Sequence, residues 1–95
     1  MTIGNDMKKL WKSPNGIYEV WQTQIVLNNY QRKMYGPNPP VAAIHYMDEY
    51  RGGYAEIHAD GKITSGTHDS YTFQILPKYV KEKCISLLKQ LYKKY

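Results

Sequence analysis

Apolar and polar residues alternate in steps of two along most of the chain and in steps of three and four near its end, a pattern that predicts a sheet completed by a helix. In GIYEVWQTQIVL, Ile17, Trp21, Ile25 and Leu27 fall on one side of an extended chain, with Tyr18, Val20, Gln22 and Gln24 on the other. Wound as a helix, the same apolar residues scatter round the wheel, so the stretch reads as a strand. Asn28-Asn29 offers a tight turn, because asparagine tolerates positive φ. YQRKMY then reads as the returning strand, and GPNPP as a stiff, extended crossing.

The next stretch, IHYMDEYRGGYAEIHADGKI, predicts two strands folded about Gly52-Gly53. That turn pairs Arg51 with Tyr54, Glu49 with Glu56 and Met47 with His58, and the side chains then sort by parity. One face carries Ile44, Tyr46, Tyr50, Ala55, Ile57 and Ala59, a core face interrupted by Asp48. The other carries His45, Met47, Glu49, Glu56, His58 and Asp60. Asp60-Gly61 signals a second turn, which places Ile63 opposite His58 and Ser65 opposite Glu56. THDS reads as a loop in which Asp69 and the serine bond their own backbone. YTFQIL predicts a last strand with Tyr71, Phe73 and Ile75 inward.

Helices frame this sheet. NDMKKLWKS predicts a short helix capped by Asn5 or Asp6, docked through Leu10 and Trp11 and ended by SPNG. Pro77 suits a first helical turn. From there Val80, Cys84, Ile85, Leu87, Leu88, Leu91, Tyr92 and Tyr95 cover slightly less than half a helical wheel, with most of the lysines opposite. The fold class expected is α+β in a single domain over 1–95. It comprises an antiparallel meander of about five or six strands, a short N-terminal helix, and an amphipathic C-terminal helix packed on one face. The histidine-bearing face is then open to solvent.

Charge sharpens the picture. The net charge of +5 is concentrated from Pro77 onward, where six lysines meet one glutamate, while residues 1–76 sum to zero. A polarised molecule of this kind suits an anionic partner. Ten tyrosines and two tryptophans add rings with polar tips, useful on half-buried faces and binding surfaces alike. The single cysteine, Cys84, excludes an intrachain disulfide framework and fits a reducing, cytoplasmic setting. MTIGNDMKKLWKS has no apolar run resembling a signal peptide, and no segment approaches membrane-spanning length.

Three chemistries compete for the polar residues. The first is nucleic-acid binding, DNA or RNA, with little sequence preference. Arg32, Lys33, Lys83, Lys89, Lys93 and Lys94 would meet phosphates, and Tyr30 and Tyr35 would stack on bases. The second is a metal-independent ribonuclease on the sheet face, with His58 as base and His45 or Glu56 as partner for attack by an RNA 2′-hydroxyl. Against it stands the plain reading of a solvated face, whose polar residues alternate because the other face is buried. The third is an accessory protein of viral or phage type that binds a host protein, or a second copy, through sheet edges or exposed tyrosines. No cofactor is expected. Two histidines and two carboxylates have the chemistry to ligate zinc or manganese, but strand-face spacing is no metal motif. Buried Cys84 makes a poor nucleophile, and no phosphate loop or serine elbow is present.

YRGGYAEIHADGKITSGTHDSYTF followed by a helix resembles the three-strand-plus-helix DNA-binding domains of plant transcription factors and phage integrases, which implies a sheet that enters the major groove. Glu49, Glu56 and Asp60 depart from that pattern, since phosphates would repel them.

Overall fold

The computed structural model describes residues 7–65 and 72–95. Five strands, β1 (Lys8–Lys12), β2 (Glu19–Thr23), β3 (Pro40–Met47), β4 (Gly52–His58) and β5 (Ile63–Ser65), form one antiparallel sheet whose order follows the chain. Helix α1 (Asn29–Tyr35) lies between β2 and β3, and helix α2 (Lys78–Lys93) follows the sheet after a 3-10 turn at Phe73–Ile75. This is the α+β meander with an amphipathic C-terminal helix that the pattern predicts.

The core lies between the sheet and α2. Val20, Ile44, Tyr46, Ala55 and Ile57 point from β2, β3 and β4 toward Val80, Cys84, Leu87 and Leu88, and all are buried. Removing this apolar surface from water is the main favourable term of the fold. Burial pushes the Cys84 thiol up to about 12, so at neutral pH it packs as a small hydrophobe. At its far end α2 is fastened by the Tyr92 hydroxyl, which donates to the Ala59 carbonyl at 2.8 Å.

Four local expectations are corrected. The N-terminal helix is not formed where the chain is described. Lys8–Lys12 is an edge strand, and SPNG, far from stopping a helix, is its hairpin connection to β2. Ser13 shapes that connection: its N–H donates to the Tyr18 carbonyl, its hydroxyl oxygen accepts the Tyr18 N–H and its carbonyl accepts the Gly16 N–H, and Gly16 has φ +76°, where a side chain would be strained. YQRKMY is helix, not strand. Asn28 caps it by accepting from Gln31 N, the Gln31 side chain accepts in return from Asn28 N, and Gly36 closes the end with φ +59°. YTFQIL is not a strand either: Phe73 and Leu76, three apart, turn inward and Ile75 is exposed, as a three-residue period requires.

The fourth correction concerns register. The β3–β4 turn is centred on Glu49-Tyr50, not on Gly52-Gly53. Asp48 Oδ1 accepts both Tyr50 N at 2.8 Å and Arg51 N at 2.7 Å, which fixes the turn. Burial alone would raise the Asp48 carboxyl, but these two N–H groups and the Arg51 guanidinium hold it below its ordinary value. The pairing therefore runs Ile44 to Ala55 and His45 to Tyr54. That shift is by an even number of residues, so the side chains that remain in the two strands keep their expected faces, while Glu49 and Tyr50, the latter expected in the core, lie exposed in the turn. At β4–β5 the slip is odd. His58 O accepts Gly61 N and Lys62 O accepts His58 N, a three-residue loop with Gly61 at φ +86°. Ile63 thus lies opposite Ile57 and joins the core, while Thr64 lies opposite Glu56 on the other face. The loop expected at THDS, with His68 and Asp69, and the inward Tyr71 lie outside the described residues.

Candidate nucleic-acid interface

The sheet face away from α2 is divided. Its far part, over β4 and β5, is covered by α1: the Tyr35 ring lies 5.6 Å from the His58 ring, and Gln31 and Tyr35 border a small cavity with Tyr54 and Glu56. Beneath that cover His58 is only 6% exposed. Its Nδ1 lies 3.0 Å from the Asn38 carbonyl, an acceptor only, so Nδ1 carries a proton. Nε2 lies 3.0 Å from Thr64 Oγ1 and 3.5 Å from Glu56 Oε1. Burial raises the Glu56 carboxyl above its ordinary value, against the opposing pull of His58 and Thr64. Burial, and then the Glu56 charge, raise the Tyr35 hydroxyl.

Of the residues expected in a ribonuclease site, the structure brings His58 and Glu56 together and leaves His45 apart. His45 pairs with Tyr54, four residues along β4 from His58, which at the rise of a strand is roughly 13 Å. His58 and Glu56 are together, but both ring nitrogens of His58 are engaged within the fold and α1 closes the approach. The cluster fastens α1 and its following loop to the sheet. Thr64, essential to it, was hidden from the sequence by the odd slip of β5. Among the described residues, no group of three or more His, Cys, Asp or Glu side chains is placed to hold a metal ion.

The near part of the same face presents a different arrangement. Lys9 on β1 pairs with Trp21 on β2, Trp21 with His45 on β3, and His45 with Tyr54 on β4. Directly paired residues share a face, so these four side chains form one row across four strands. The Lys9 ammonium sits 5.5 Å from the centre of the Trp21 ring. Trp21 Nε1 donates to Glu19 Oε2 at 3.0 Å, and Lys9 and Lys12 approach the other carboxylate oxygen at 3.6 and 3.9 Å. The Trp21 hydrogen bond, helped by both lysines, holds the Glu19 carboxyl below its ordinary value. His45 leans over Gly52, where a Cβ would stand 2.9 Å from its Nε2. The three rings are half-buried: fixed at their roots, with part of their surface toward solvent.

The acidic character expected of this face is largely absent from the row. Glu49 sits in the exposed turn, Glu56 belongs to the His58 cluster and Glu19 is matched by two lysines.

The basic residues expected to meet phosphates are split between the two sides of the sheet. Tyr30, 74% exposed, and Lys33, also exposed, stand on α1, whereas Tyr35 is spent on His58. Lys89 and Lys93 on α2 and Lys94 at its C-cap are exposed on the opposite side of the sheet, and Lys83 lies 6.0 Å from the Trp11 ring centre. Arg32 lines a cleft at the end of the sheet. Sequence reasoning missed Lys9, Trp21 and Tyr54 as site residues, because only the true register sets them in line with His45.

Comparison of the chain with known protein families, with curated proteins and with solved structures finds no match. Among the described residues no helix is long and apolar enough to cross a membrane.

Proposed function

We propose that this protein binds single-stranded nucleic acid on the sheet face opposite α2, with bases stacked on Trp21, His45 and Tyr54. The observation that carries the reading is the unbroken cross-strand row of three ring side chains ended by Lys9. Every base has a π-face, so such a row receives bases of any identity, and little sequence preference follows. Lys9 and Lys12 on β1 flank the row on its own face and are exposed, in the right place to meet a backbone running across the strands. The lysines of α2 add to the long-range attraction from the opposite side rather than to contact.

The test is a fluorescence-anisotropy titration of labelled single-stranded RNA, single-stranded DNA and duplex DNA at two salt concentrations, with a gel of each sample afterwards. The expected result is salt-sensitive binding of a single strand, weaker binding of duplex, and intact nucleic acid. Trp21→Ala and Tyr54→Ala should each weaken binding by about 1–3 kcal/mol, the worth of one stacked base. Affinity unchanged in the double variant, or indifferent to salt, defeats the proposal. Cut RNA would return attention to the histidines.

A further inference from the structure

A second candidate site lies away from the aromatic row, where the start of β3 meets the segment leading into α1 and the end of α2. It is an open cleft of about 490 Å³ whose walls include Leu27, Pro39, Pro40 and Val41, completed by the exposed Arg32 and Tyr95. A smaller hollow of about 280 Å³ adjoins it, shares Val41 and Tyr95, and is bordered by Leu91 and Lys94. The larger volume falls in the range of small-molecule sites.

Its chemistry is specific. The two prolines carry no N–H, and the Pro39 carbonyl is already taken by Ala59 N at 2.9 Å. The wall formed by these residues is thus apolar, and stiff because proline fixes φ. Two cations complete the lining, Arg32 from α1 and Lys94 from the cap that follows α2, and no acidic residue lines either hollow. Neither cation forms an ion pair among the described residues. A stiff apolar slot with a guanidinium and an ammonium at its borders is complementary to one kind of ligand.

We infer that this cleft binds a small organic anion: a flat apolar body carrying a carboxylate, sulfonate or phosphate held by Arg32, with Lys94 as the second positive charge. The guanidinium presents a planar fork that matches such head groups in two parallel hydrogen bonds. The site is independent of the nucleic-acid reading, because Arg32 and Val41 take no part in the ring row.

The probe is 8-anilinonaphthalene-1-sulfonate, a flat aromatic body with one anionic head, compared with N-phenyl-1-naphthylamine, which has the same rings and no charge. The expected result is saturable binding of the sulfonate at one site per chain. Arg32→Gln should weaken it about tenfold, as loss of a hydrogen bond between charged groups does, and Lys94→Gln should weaken it less. The uncharged probe should be indifferent to Arg32→Gln. Val41→Phe, which sets a ring inside the cleft, should abolish binding of both; Arg32 is exposed, so its variant decides the matter should Val41→Phe fail to fold. The double variant Trp21→Ala/Tyr54→Ala should bind the sulfonate unchanged. Sulfonate affinity within twofold of the parent in Arg32→Gln, or lost in the ring-row variant, overturns the assignment.

Discussion

Replacing His58 by alanine tests how the second sheet face is held. The substitution removes a ring that is 6% exposed and deletes its bonds to the Asn38 carbonyl and Thr64, along with the contact to Tyr35. Two net hydrogen bonds at about 1 kcal/mol each and an aromatic contact of about 0.5–1.5 kcal/mol suggest a loss of roughly 3 kcal/mol. A cavity left beneath α1 would add to it, and water reaching the freed Asn38 carbonyl would offset part. Against a total stability of about 5–15 kcal/mol for a folded protein, that is a large fraction. At about 4–8 °C per kcal/mol for a domain of this size, Tm should fall by roughly 12–24 °C. Urea titration followed by far-ultraviolet circular dichroism, with a thermal melt on the same sample, measures both. The milder Thr64→Val should cost about 1 kcal/mol, and the two losses should not add, because they remove the same bond. A loss below about 1 kcal/mol in His58→Ala would refute the reasoning: His58 would then not hold α1 to the sheet, and an active role for the ring would regain its interest.

Other perturbations read separate parts of the structure. The Glu56 carboxyl is raised by burial, so its ionisation opposes folding: stability tied to its protonated form is present below the unfolded value and lost as pH climbs through the folded one. Glu56→Gln should therefore stabilise the protein at neutral pH, with the gain vanishing below about pH 4, the unfolded carboxylate range, as urea midpoints across pH would show. Asn28→Ala removes the cap of α1 and should cost about 1 kcal/mol, read as a lower urea midpoint. Gly61→Ala forces a side chain into φ +86° and should cost about 1–2 kcal/mol, seen as a lower Tm with the fold retained. Gly52→Ala should displace the His45 imidazole and weaken single-strand binding while leaving the sheet intact, which an anisotropy titration beside a circular dichroism spectrum would separate.

How much of this was legible depended on which period governed each segment. The α2 stripe declared itself, because Val80, Cys84, Leu87 and Leu88 recur at helical spacing and all are buried. The faces of β3 and β4 could be sorted by parity, and the sorting survived a wrong turn because the error was even. Asp48 is the residue that should have moved the turn: an aspartate at the first position of a four-residue turn bonds the N–H groups that follow, and the interruption of the core face by a carboxylate was that signal. In α1 the cap Asn28, Gln31 three residues on and Gly36 at the end were all visible, yet tyrosine-rich YQRKMY reads equally as strand. The ring row was not legible, since it joins four strands through three registers and a one-residue slip in any of them scatters it.

The sheet's order along the chain also governs how the molecule assembles and comes apart. Residues 48–51 and 59–62 are short connections, so β3, β4 and β5 can pair at little cost in chain entropy, with α2 closing over them. The β1–β2 hairpin must instead be brought in across residues 24–39, the longest gap between paired strands that the structure describes. That closure cost predicts the hairpin as the unit that opens first, below the global unfolding threshold. Lys9 and Trp21 ride on that hairpin, whereas His45 and Tyr54 belong to the persistent part. Amide hydrogens of β1 and β2 should then exchange with solvent sooner than those of β3 and β4, and a bound strand bridging Trp21 to Tyr54 should slow them. The ring row is in this sense built from two pieces, whole only while the hairpin is docked.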